Sequence, residues 1–160
     1  MDFTRKCSTF ECVDEQATLA CAEKFALCLQ PGLVIYLQGD LGSGKTTFAR
    51  GLIKALGHTG KVKSPTYTLV EHYPLAKFNC YHFDLYRFID EEEWEVAGFR
   101  EHFNQHHVCL IEWPEKAGHL CPSADIGIKI LHQSQGRHMT FTAHTQFGAT
   151  CLEHFSAASV

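Results

Sequence analysis

A chain of 160 residues is long enough to bury the core of one domain and too short for two ordinary ones. Its 45% hydrophobic and 20% charged residues are typical of a soluble globular protein, and its longest apolar runs, about five residues, exclude a membrane span. The net charge of −4 argues against strong unaided binding to nucleic acid, since that affinity comes largely from lysine and arginine contacts with phosphates. Acidic residues near the N-terminus break any signal-peptide pattern, so we predict a cytoplasmic protein.

The first elements alternate between strand and helix. Residues 10–13 are predicted to form a strand, and Asp14 then supplies the side chain of a helix N-cap. A helix is predicted over residues 15–29, because its apolar side chains recur on one face. Residues 33–37 form a short apolar run typical of a buried strand, which leads directly into the next motif.

The stretch GDLGSGKT at residues 39–46 fills every fixed position of the phosphate-loop pattern G-x-x-x-x-G-K-[ST]. Its glycines let successive backbone N–H groups point at phosphate oxygens, and the start of the following helix adds a positive dipole end. Lys45 is expected to reach the β- and γ-phosphates, and the Thr46 hydroxyl to bind Mg²⁺. We therefore predict a site for a nucleoside triphosphate, with ATP and Mg²⁺ as its ligands. The residues predicted to bind the nucleotide here are Gly39, Asp40, Leu41, Gly42, Ser43, Gly44, Lys45, Thr46 and Thr47.

A second group of elements follows the loop. The helix after it has an apolar face that continues to Leu56, and Gly57 stands where a C′ glycine is expected. A polar link at 61–64 precedes two predicted strands, at 67–70 and 78–83.

The acidic run at residues 90–93 has two interpretations. Asp90 and Glu93 have the D-x-x-E spacing of a helix cap, and acids in a first turn suit the helix dipole. A partner-binding site is the other interpretation. We favour the cap.

The last predicted elements complete a sheet. All four residues at 108–111 are apolar, as expected of a strand buried on both faces, and strands at 126–131 and 139–143 close the sheet. We predict one α/β P-loop NTPase domain over residues 1–147, with a central, mostly parallel sheet flanked by helices. Residues 148–160 carry no readable pattern and are left as an unassigned C-terminal tail.

The eight cysteines and eleven histidines do not form a recognisable metal motif. The cysteines include no C-x-x-C pair, so we interpret them as buried free thiols that pack like small hydrophobic residues. His102 and His106 are four residues apart and could share a helical face. A zinc site there would need further ligands, so we favour surface histidines and keep the zinc site as the alternative.

Two acids stand at the ends of predicted strands. Glu112 comes directly after the strand at 108–111, and Asp84 follows the strand at 78–83. An acid at the carboxyl end of a core strand is what a phosphate-loop enzyme uses to hold Mg²⁺ or to orient the attacking water. The alternative is a helix cap or a solvated strand end. The sequence leaves open which of the two acids holds the metal and which orients water.

Four stretches together carry a family resemblance. They are GDLGSGKTT at 39–47, SPTYTLV at 64–70, YHFDLYR at 81–87 and LIEWP at 110–114. In this order, across roughly residues 10–140, they closely resemble the bacterial TsaE (YjeE) family. The resemblance implies a small P-loop ATPase needed to make threonylcarbamoyladenosine in tRNA. It also implies that the protein acts with the TsaB–TsaD pair, in which TsaD transfers the threonylcarbamoyl group. The protein would then contact tRNA only indirectly, through that complex, and would not act at a membrane.

The resemblance also implies roles at matching positions. Lys45 would hold phosphates, Thr46 and Glu112 would hold Mg²⁺, and Asp84 would lie near the metal, which makes Lys45, Asp84 and Glu112 the predicted catalytic residues. 

Three other parts of the chain match the family pattern outside the phosphate loop and the acids. Ser64, Pro65 and Thr66 would form a switch-like loop that responds to the nucleotide. Trp113 would lie close to the nucleotide, and Arg137 resembles a further family position.

Two other functions stay open from the sequence. A small-molecule P-loop kinase would have this size, but such enzymes usually need a basic lid, and the arginines here are few and scattered. A nucleotide-sensing binding module without significant turnover is the other alternative. A GTPase would normally show an N-K-x-D motif, which this sequence lacks. Because no arginine finger is evident beside the loop, we expect turnover to be weak without a partner.

Overall fold

The computed structural model describes residues 6–158, and these contain seven strands and four α-helices. The strands are β1 (Cys7–Cys12), β2 (Val34–Gln38), β3 (Val70–Pro74), β4 (Asn79–Asp84), β5 (His107–Glu112), β6 (Ile126–His132) and β7 (Arg137–Ala143). The helices are α1 (Glu15–Ala26), α2 (Lys45–Ala55), α3 (Glu93–Ala97) and α4 (Gln146–Ala158). Two 3₁₀-helices lie at Phe99–His102 and Pro114–Leu120. Residues 1–5 of the predicted domain and 159–160 of the predicted tail lie outside the described residues.

The seven strands form one sheet in the order β1-β7-β6-β2-β5-β4-β3. The four central strands, β6, β2, β5 and β4, are parallel to one another, whereas the pairs β1–β7, β6–β7 and β3–β4 are antiparallel. This confirms the predicted α/β class with a sheet that is parallel in its centre. Since parallel strands end at the same edge, the segments that follow β2, β4 and β5 lie together there.

Helices cover both faces of the sheet through aromatic packing. On the face covered by α1, α2 and α4, the rings of Phe25 and Phe155 lie 5.2 Å and 4.9 Å from that of Phe141 in β7. On the other face, Phe99 and Trp94 pack on Phe83 of β4, with centroids 5.2 Å and 6.0 Å away. Each of these rings is buried, and burying one contributes about 1.5–3 kcal/mol.

Several predicted elements are confirmed with shifted ends. Strand β1 begins at Cys7 rather than at residue 10. Asp14 caps α1 as predicted, because its Oδ1 accepts the N–H of Ala17 at 2.8 Å. Helix α1 ends at Ala26, and the predicted extension to Leu29 consists of shorter i→i+3 turns. Helix α2 ends as predicted, with Gly57 following its C-cap at φ +111°.

The strand predicted at 67–70 is wrong. Residues 65–68 form a turn, in which Pro65 accepts the N–H of Leu69 at 2.7 Å. Leu69 has φ +72°, a left-handed conformation that does not continue into an extended strand. The strand starts only at Val70, where β3 pairs with β4. The β-forming side chains suggested a strand, but the turn sets where it begins.

The acids before α3 bind backbone groups, but not as a capping box. Oε2 of Glu93 accepts the N–H of Ile89 at 2.9 Å, and Oδ1 of Asp90 accepts the N–H of Glu92 at 2.9 Å. A capping box would instead pair Asp90 and Glu93 with each other's N–H groups. The two acids therefore stabilise the turn that leads into the helix, and the predicted cap is wrong, because the N-cap of α3 is Glu92 and has no side-chain cap bond.

Residues 146–158, most of which the sequence left unassigned, form helix α4. Thr145 begins it, since its hydroxyl accepts the N–H of Gly148 at 3.0 Å and donates to Oδ1 of Asp125 at 2.7 Å. Phe155 of this helix contacts Phe10 in β1, with ring centroids 4.9 Å apart. The helix is therefore part of the core rather than an appended tail.

We expect Gly148→Ala to destabilise the protein by about 1–3 kcal/mol, as overpacking does. Alanine normally favours a helix over glycine by roughly 1 kcal/mol. At this position a Cβ would lie 2.1 Å from the carbonyl oxygen of Asp125, so the helix must move away from the sheet. Chemical unfolding measures the change, with Glu153→Ala on the exposed side of α4 as the control. A neutral or stabilising Gly148→Ala would show that α4 does not pack as described.

All eight cysteines are free, and every one except Cys7 is buried, which confirms the interpretation from the sequence. Burial raises the pKa of Cys21, Cys80 and Cys151 to about 12. These thiols are therefore protonated at neutral pH and act as packing groups. Among residues 6–158, every helix is too short or too polar to span a lipid bilayer.

Candidate functional site

The phosphate-loop residues connect β2 to α2 in the predicted position. Strand β2 ends at Gln38 and helix α2 begins at Lys45, so the loop lies at the carboxyl end of a central parallel strand. Gly44 has φ +107° at the start of the helix, a conformation that favours glycine. A Cβ at Gly39 would lie 2.4 Å from the carbonyl oxygen of Ile130 in β6. The glycines therefore let the loop turn closely against the sheet.

Lys45 is held over the loop by backbone and aromatic contacts. Its Nζ donates to the carbonyl oxygens of Gly39 and Asp40, and it lies 4.3 Å from the ring centroid of Trp113. Burial lowers the pKa of Lys45, and the nearby charges of Glu112 and Asp84 oppose that shift. A cation that has lost much of its hydration gains more from an anionic ligand than an exposed one does. Lys45 is therefore well suited to bind phosphate.

The two strand-end acids lie side by side. Asp84 and Glu112 are register partners at the ends of β4 and β5, and both are buried. The Thr46 hydroxyl lies 3.4 Å from each carboxylate oxygen of Glu112. Burial raises the pKa of Asp84, and the Glu112 charge raises it further, although the N–H of Tyr86 donates to its carboxylate at 3.0 Å. Two adjacent buried carboxylates create an electrostatic demand for a cation.

The donor set at this edge fits Mg²⁺. This ion prefers oxygen ligands and in nucleotide sites is usually bound by one or two carboxylates together with phosphate oxygens. Thr46 and Glu112 offer such oxygens beside the phosphate loop, and Asp84 lies next to them. Within residues 6–158 no group of three or more His, Cys, Asp and Glu side chains is placed to hold a metal by itself. The ion would therefore bind together with a nucleotide.

The histidines that raised the zinc alternative have other neighbours. His102 stacks on Tyr81 with centroids 4.2 Å apart, and the N–H of His106 donates to Asn104 at 2.8 Å. Neither belongs to a group of metal-binding side chains among the described residues. The structure thus gives no support to a zinc site.

The Ser64–Pro65–Thr66 segment reaches the site through Thr66. The Thr66 hydroxyl donates to Oδ2 of Asp84 at 3.3 Å, and it lies 2.8 Å from the Ser64 hydroxyl. Thr66 lines the cleft described below, whereas Ser64 and Pro65 do not. A change at Asp84 would therefore reach this segment through Thr66.

A cleft of about 480 Å³ unites the loop, the acids and the Thr66 segment. Its lining residues are Leu41, Gly42, Gly44, Lys45, Thr46, Thr47, Thr66, Asp84, Tyr86, Glu112, Trp113 and Arg137. Of the predicted site residues, those outside the lining are Gly39, Asp40, Ser43, Ser64 and Pro65. The structure therefore brings together the side chains predicted to bind phosphate and metal.

Arg137 braces the loop from β7. Its Nε donates to the carbonyl oxygen of Ser43, and its Nη1 donates to that of Gly136 at 3.0 Å. Its Nη2 is 3.5 Å from the carbonyl oxygen of Gly42. Arg137 thus holds the backbone of the phosphate loop while its side chain lines the cleft.

Two features of the site were missed in the sequence. Tyr86 lines the cleft, and its ring centroid lies 5.0 Å from that of Trp113, which has the strained φ of +57°. The position of Tyr86, two residues after Asp84, was the signal in the sequence that could have placed it at the site. A smaller cleft of about 170 Å³ adjoins the loop. It is lined by Asp14, Glu15, Thr18, Gly44, Thr47, Gly136 and Arg137. No local pattern links α1 to the loop, so this second cleft could not be predicted from the sequence.

Comparison with known proteins identifies the family. The model of the family described as threonylcarbamoyl adenosine biosynthesis protein TsaE matches residues 12–139. The chain belongs to the TsaE family. The match spans the phosphate loop, both acids and Arg137, and it confirms the resemblance seen in the sequence.

Individual TsaE relatives agree over most of their length. The chain is 45% identical over 148 residues to the tRNA threonylcarbamoyladenosine biosynthesis protein TsaE of Haemophilus influenzae, covering 89% of this chain and 94% of that protein. It is 39% identical over 132 residues to the protein of the same name from Bacillus subtilis, covering 82% of each. The crystal structure of Bacillus subtilis YdiB superposes with a TM-score of 0.84 at 31% identity, covering 99% of this chain and 100% of that one. The TsaE family model ends before α4, whereas the YdiB superposition includes nearly the whole chain.

Proposed function

We propose that this chain is a Mg²⁺-dependent ATPase that acts with the TsaB–TsaD complex to form N6-threonylcarbamoyladenosine next to the anticodon of tRNA. The observation that carries the proposal is the convergence of Lys45, Thr46, Glu112 and Asp84 on one cleft. Membership of the TsaE family supports the pathway, since its relatives are named for tRNA threonylcarbamoyladenosine biosynthesis. The net charge of −4 supports an indirect rather than a direct relation to tRNA.

Different residues of the site would bind the phosphates and the metal of Mg²⁺–ATP. Lys45 and the loop N–H groups would bind the β- and γ-phosphates, while Thr46 and Glu112 would hold Mg²⁺. The ion, when bound, neutralises charge on the phosphoryl group that is transferred. Asp84 lies beside Glu112 and bonds to Thr66, so it would position water or a metal-bound ligand.

The surroundings of the cleft support this division. Trp113 packs on Lys45 and Tyr86 packs on Trp113, which would shield the phosphates from bulk water. The adjoining smaller cleft would take the nucleoside, because it shares Gly44, Thr47 and Arg137 with the first.

A partner complex would contact the rim of the cleft. Leu41 belongs to the phosphate loop and Tyr67 follows Thr66 in the chain, and 72% and 81% of their surfaces are exposed. The guanidinium of Arg87 lies 4.5 Å from the Tyr67 ring centroid. Aromatic and arginine side chains of this kind are enriched at protein interfaces. Because Thr66 joins this rim to Asp84, the nucleotide state could be transmitted to a partner there.

We expect the chain to bind TsaB–TsaD more tightly with a non-hydrolysable ATP analogue than with ADP or no nucleotide. Thr66→Ala should reduce the difference between the ATP-analogue and ADP states by about tenfold, because it removes the hydroxyl bonded to Asp84, and this equals about 1.4 kcal/mol of coupling. Nucleotide binding by the isolated chain should change little. Titration calorimetry measures all three states.

Thr68→Ala is the matched control, because the Thr68 hydroxyl bonds to the half-buried Glu71 and not to the site. It should keep the full difference between nucleotide states. Equal affinity for TsaB–TsaD in all three states would contradict the switch, since a ligand shifts an equilibrium only through differential affinity.

The reaction products separate this function from the two alternatives. An ATPase releases ADP and inorganic phosphate in equal amounts, which ³¹P NMR resolves. A small-molecule kinase would place the phosphoryl group on an acceptor, and a nucleotide-sensing module would leave ATP intact even with TsaB–TsaD present.

A further inference from the structure

His82 lies behind the site: it falls within the YHFDLYR stretch at 81–87 but was given no role from the sequence, and the lining of the cleft does not include it. It belongs to β4, two residues before Asp84, and it is 0% exposed. Its backbone is the register partner of Leu110, so Glu112, two residues further along β5, lies diagonally across on the same face. Nε2 of His82 is 2.6 Å from Oε2 of Glu112.

That contact is the short hydrogen bond of a buried carboxylate. Glu112 is 2% exposed, and burying a carboxylate is costly unless it accepts hydrogen bonds. Among the described residues its other side-chain partner is the Thr46 hydroxyl, 3.4 Å from each oxygen. Since an ionised carboxylate only accepts, the hydrogen of this bond belongs to Nε2 of His82 when Glu112 carries the charge that a metal ligand needs.

The other ring nitrogen points to a directional role. Nδ1 of His82 is buried and has no hydrogen-bond partner within residues 6–158. A histidine that served only for packing would bury two ring nitrogens without hydrogen bonds, which is costly, and an apolar residue could fill the same space without that cost. The imidazole is instead satisfied on one side, and that side faces Glu112.

We infer that His82 is a positioning residue, whose Nε2–H holds the Glu112 carboxylate in the orientation in which it serves the Mg²⁺–nucleotide site. This inference rests on the proposed function of Glu112. The Thr46 hydroxyl would bind the metal when the metal is present. His82 is therefore the partner that can hold Glu112 both in the presence and in the absence of the metal. Groups that orient a metal ligand from behind typically contribute 10–100-fold to metal affinity or activity.

Three substitutions of His82 separate hydrogen bonding from packing. Glutamine can place its amide N–H near the position of Nε2, whereas asparagine is too short to reach Glu112 and methionine has no donor. With ATP, Mg²⁺ and TsaB–TsaD, His82→Gln should keep kcat within about threefold of wild type. His82→Asn and His82→Met should lose about 10–100-fold in kcat. Affinity for ATP without Mg²⁺ should stay within about twofold in all three variants.

The series does not depend on one variant folding, because Asn and Met remove the same bond in different ways. Wild-type kcat in a folded His82→Asn or His82→Met variant overturns the inference. So does a folded His82→Gln variant as impaired as the other two, since packing would then be the cause.

A double variant tests whether His82 acts through Glu112. In a Glu112→Gln background, His82→Met should lower kcat by less than about threefold further, because a residue acting through Glu112 has nothing left to orient. Full additivity overturns the inference. If Glu112→Gln alone leaves kcat unchanged, the proposed role of Glu112 is wrong. If Glu112→Gln lowers kcat but the His82 variants do not, Glu112 acts without His82 and only the present inference is wrong.

The same bond can be observed without turnover. In ¹⁵N-histidine-labelled protein free of nucleotide and metal, His82 should carry its hydrogen on Nε2, and this resonance should shift in Glu112→Gln. The His82→Gln variant assigns the signal among the eleven histidines. A hydrogen on Nδ1 instead would contradict the inference.

Discussion

Lys45→Ala should lower ATP turnover by at least ~10²-fold while the protein stays folded, a loss typical of removing one group that stabilises developing charge. Lys45 donates to loop carbonyls and packs on Trp113, and its ammonium is the positive charge that the phosphate loop itself supplies. Thr46→Ala should have an effect of similar size, because it removes the hydroxyl that lies against Glu112. Phosphate release measured with TsaB–TsaD tests both variants.

Lys54→Ala provides the matched control for lysine removal. Lys54 is in the same helix as Lys45, but it lies in the last turn and its side chain is exposed. It should therefore leave turnover unchanged. Hydrolysis at the wild-type rate by a folded Lys45→Ala variant would rule out the phosphate-loop assignment.

Glu112→Gln should reduce kcat by about 10–100-fold, and the affinity for nucleotide measured without Mg²⁺ should change far less. The substitution keeps the shape of the side chain and removes the charge that faces Thr46 and His82. Stopped-flow turnover and equilibrium binding give the two quantities. Asp84→Asn should follow the same pattern if Asp84 acts next to the metal.

Comparison of the two acids decides between their roles. Glu115→Gln is a suitable control, because Glu115 lies in the following 3₁₀-helix and is exposed. Normal hydrolysis by Glu112→Gln would make Glu112 a structural acid at a strand end, and Asp84 would then take over its role.

Local patterns predicted the elements whose causes are local. The apolar run at 108–111 corresponds to β5, and the Asp14 cap begins α1 as expected. The prediction of a strand at 67–70 was wrong because Leu69 adopts a left-handed conformation, which a leucine side chain does not indicate in the sequence. Helix α4 was missed because its start depends on Thr145 contacting Asp125, 20 residues away in the chain.

The candidate site shows the same division. The phosphate loop and both acids could be predicted because short motifs encode them, and the register of β4 and β5 then brings Asp84 and Glu112 together. The hydrogen bond from His82 to Glu112 could not be predicted, because it depends on the pairing of two strands. The second cleft depends on how α1 packs beside the loop, so it too lay beyond local patterns.

Phosphate release from ATP by this chain, measured with and without TsaB–TsaD and with and without Mg²⁺, tests the central claim most directly. The account predicts slow release by the chain alone, a large increase when TsaB–TsaD and Mg²⁺ are both present, and loss of that increase in Lys45→Ala. Arg137 lines the cleft, but it is engaged with the carbonyl oxygens of Ser43 and Gly136, so we expect the charge that raises turnover to come from the partner complex. Phosphate release that is unaffected by TsaB–TsaD, or that persists without Mg²⁺, would contradict the claim.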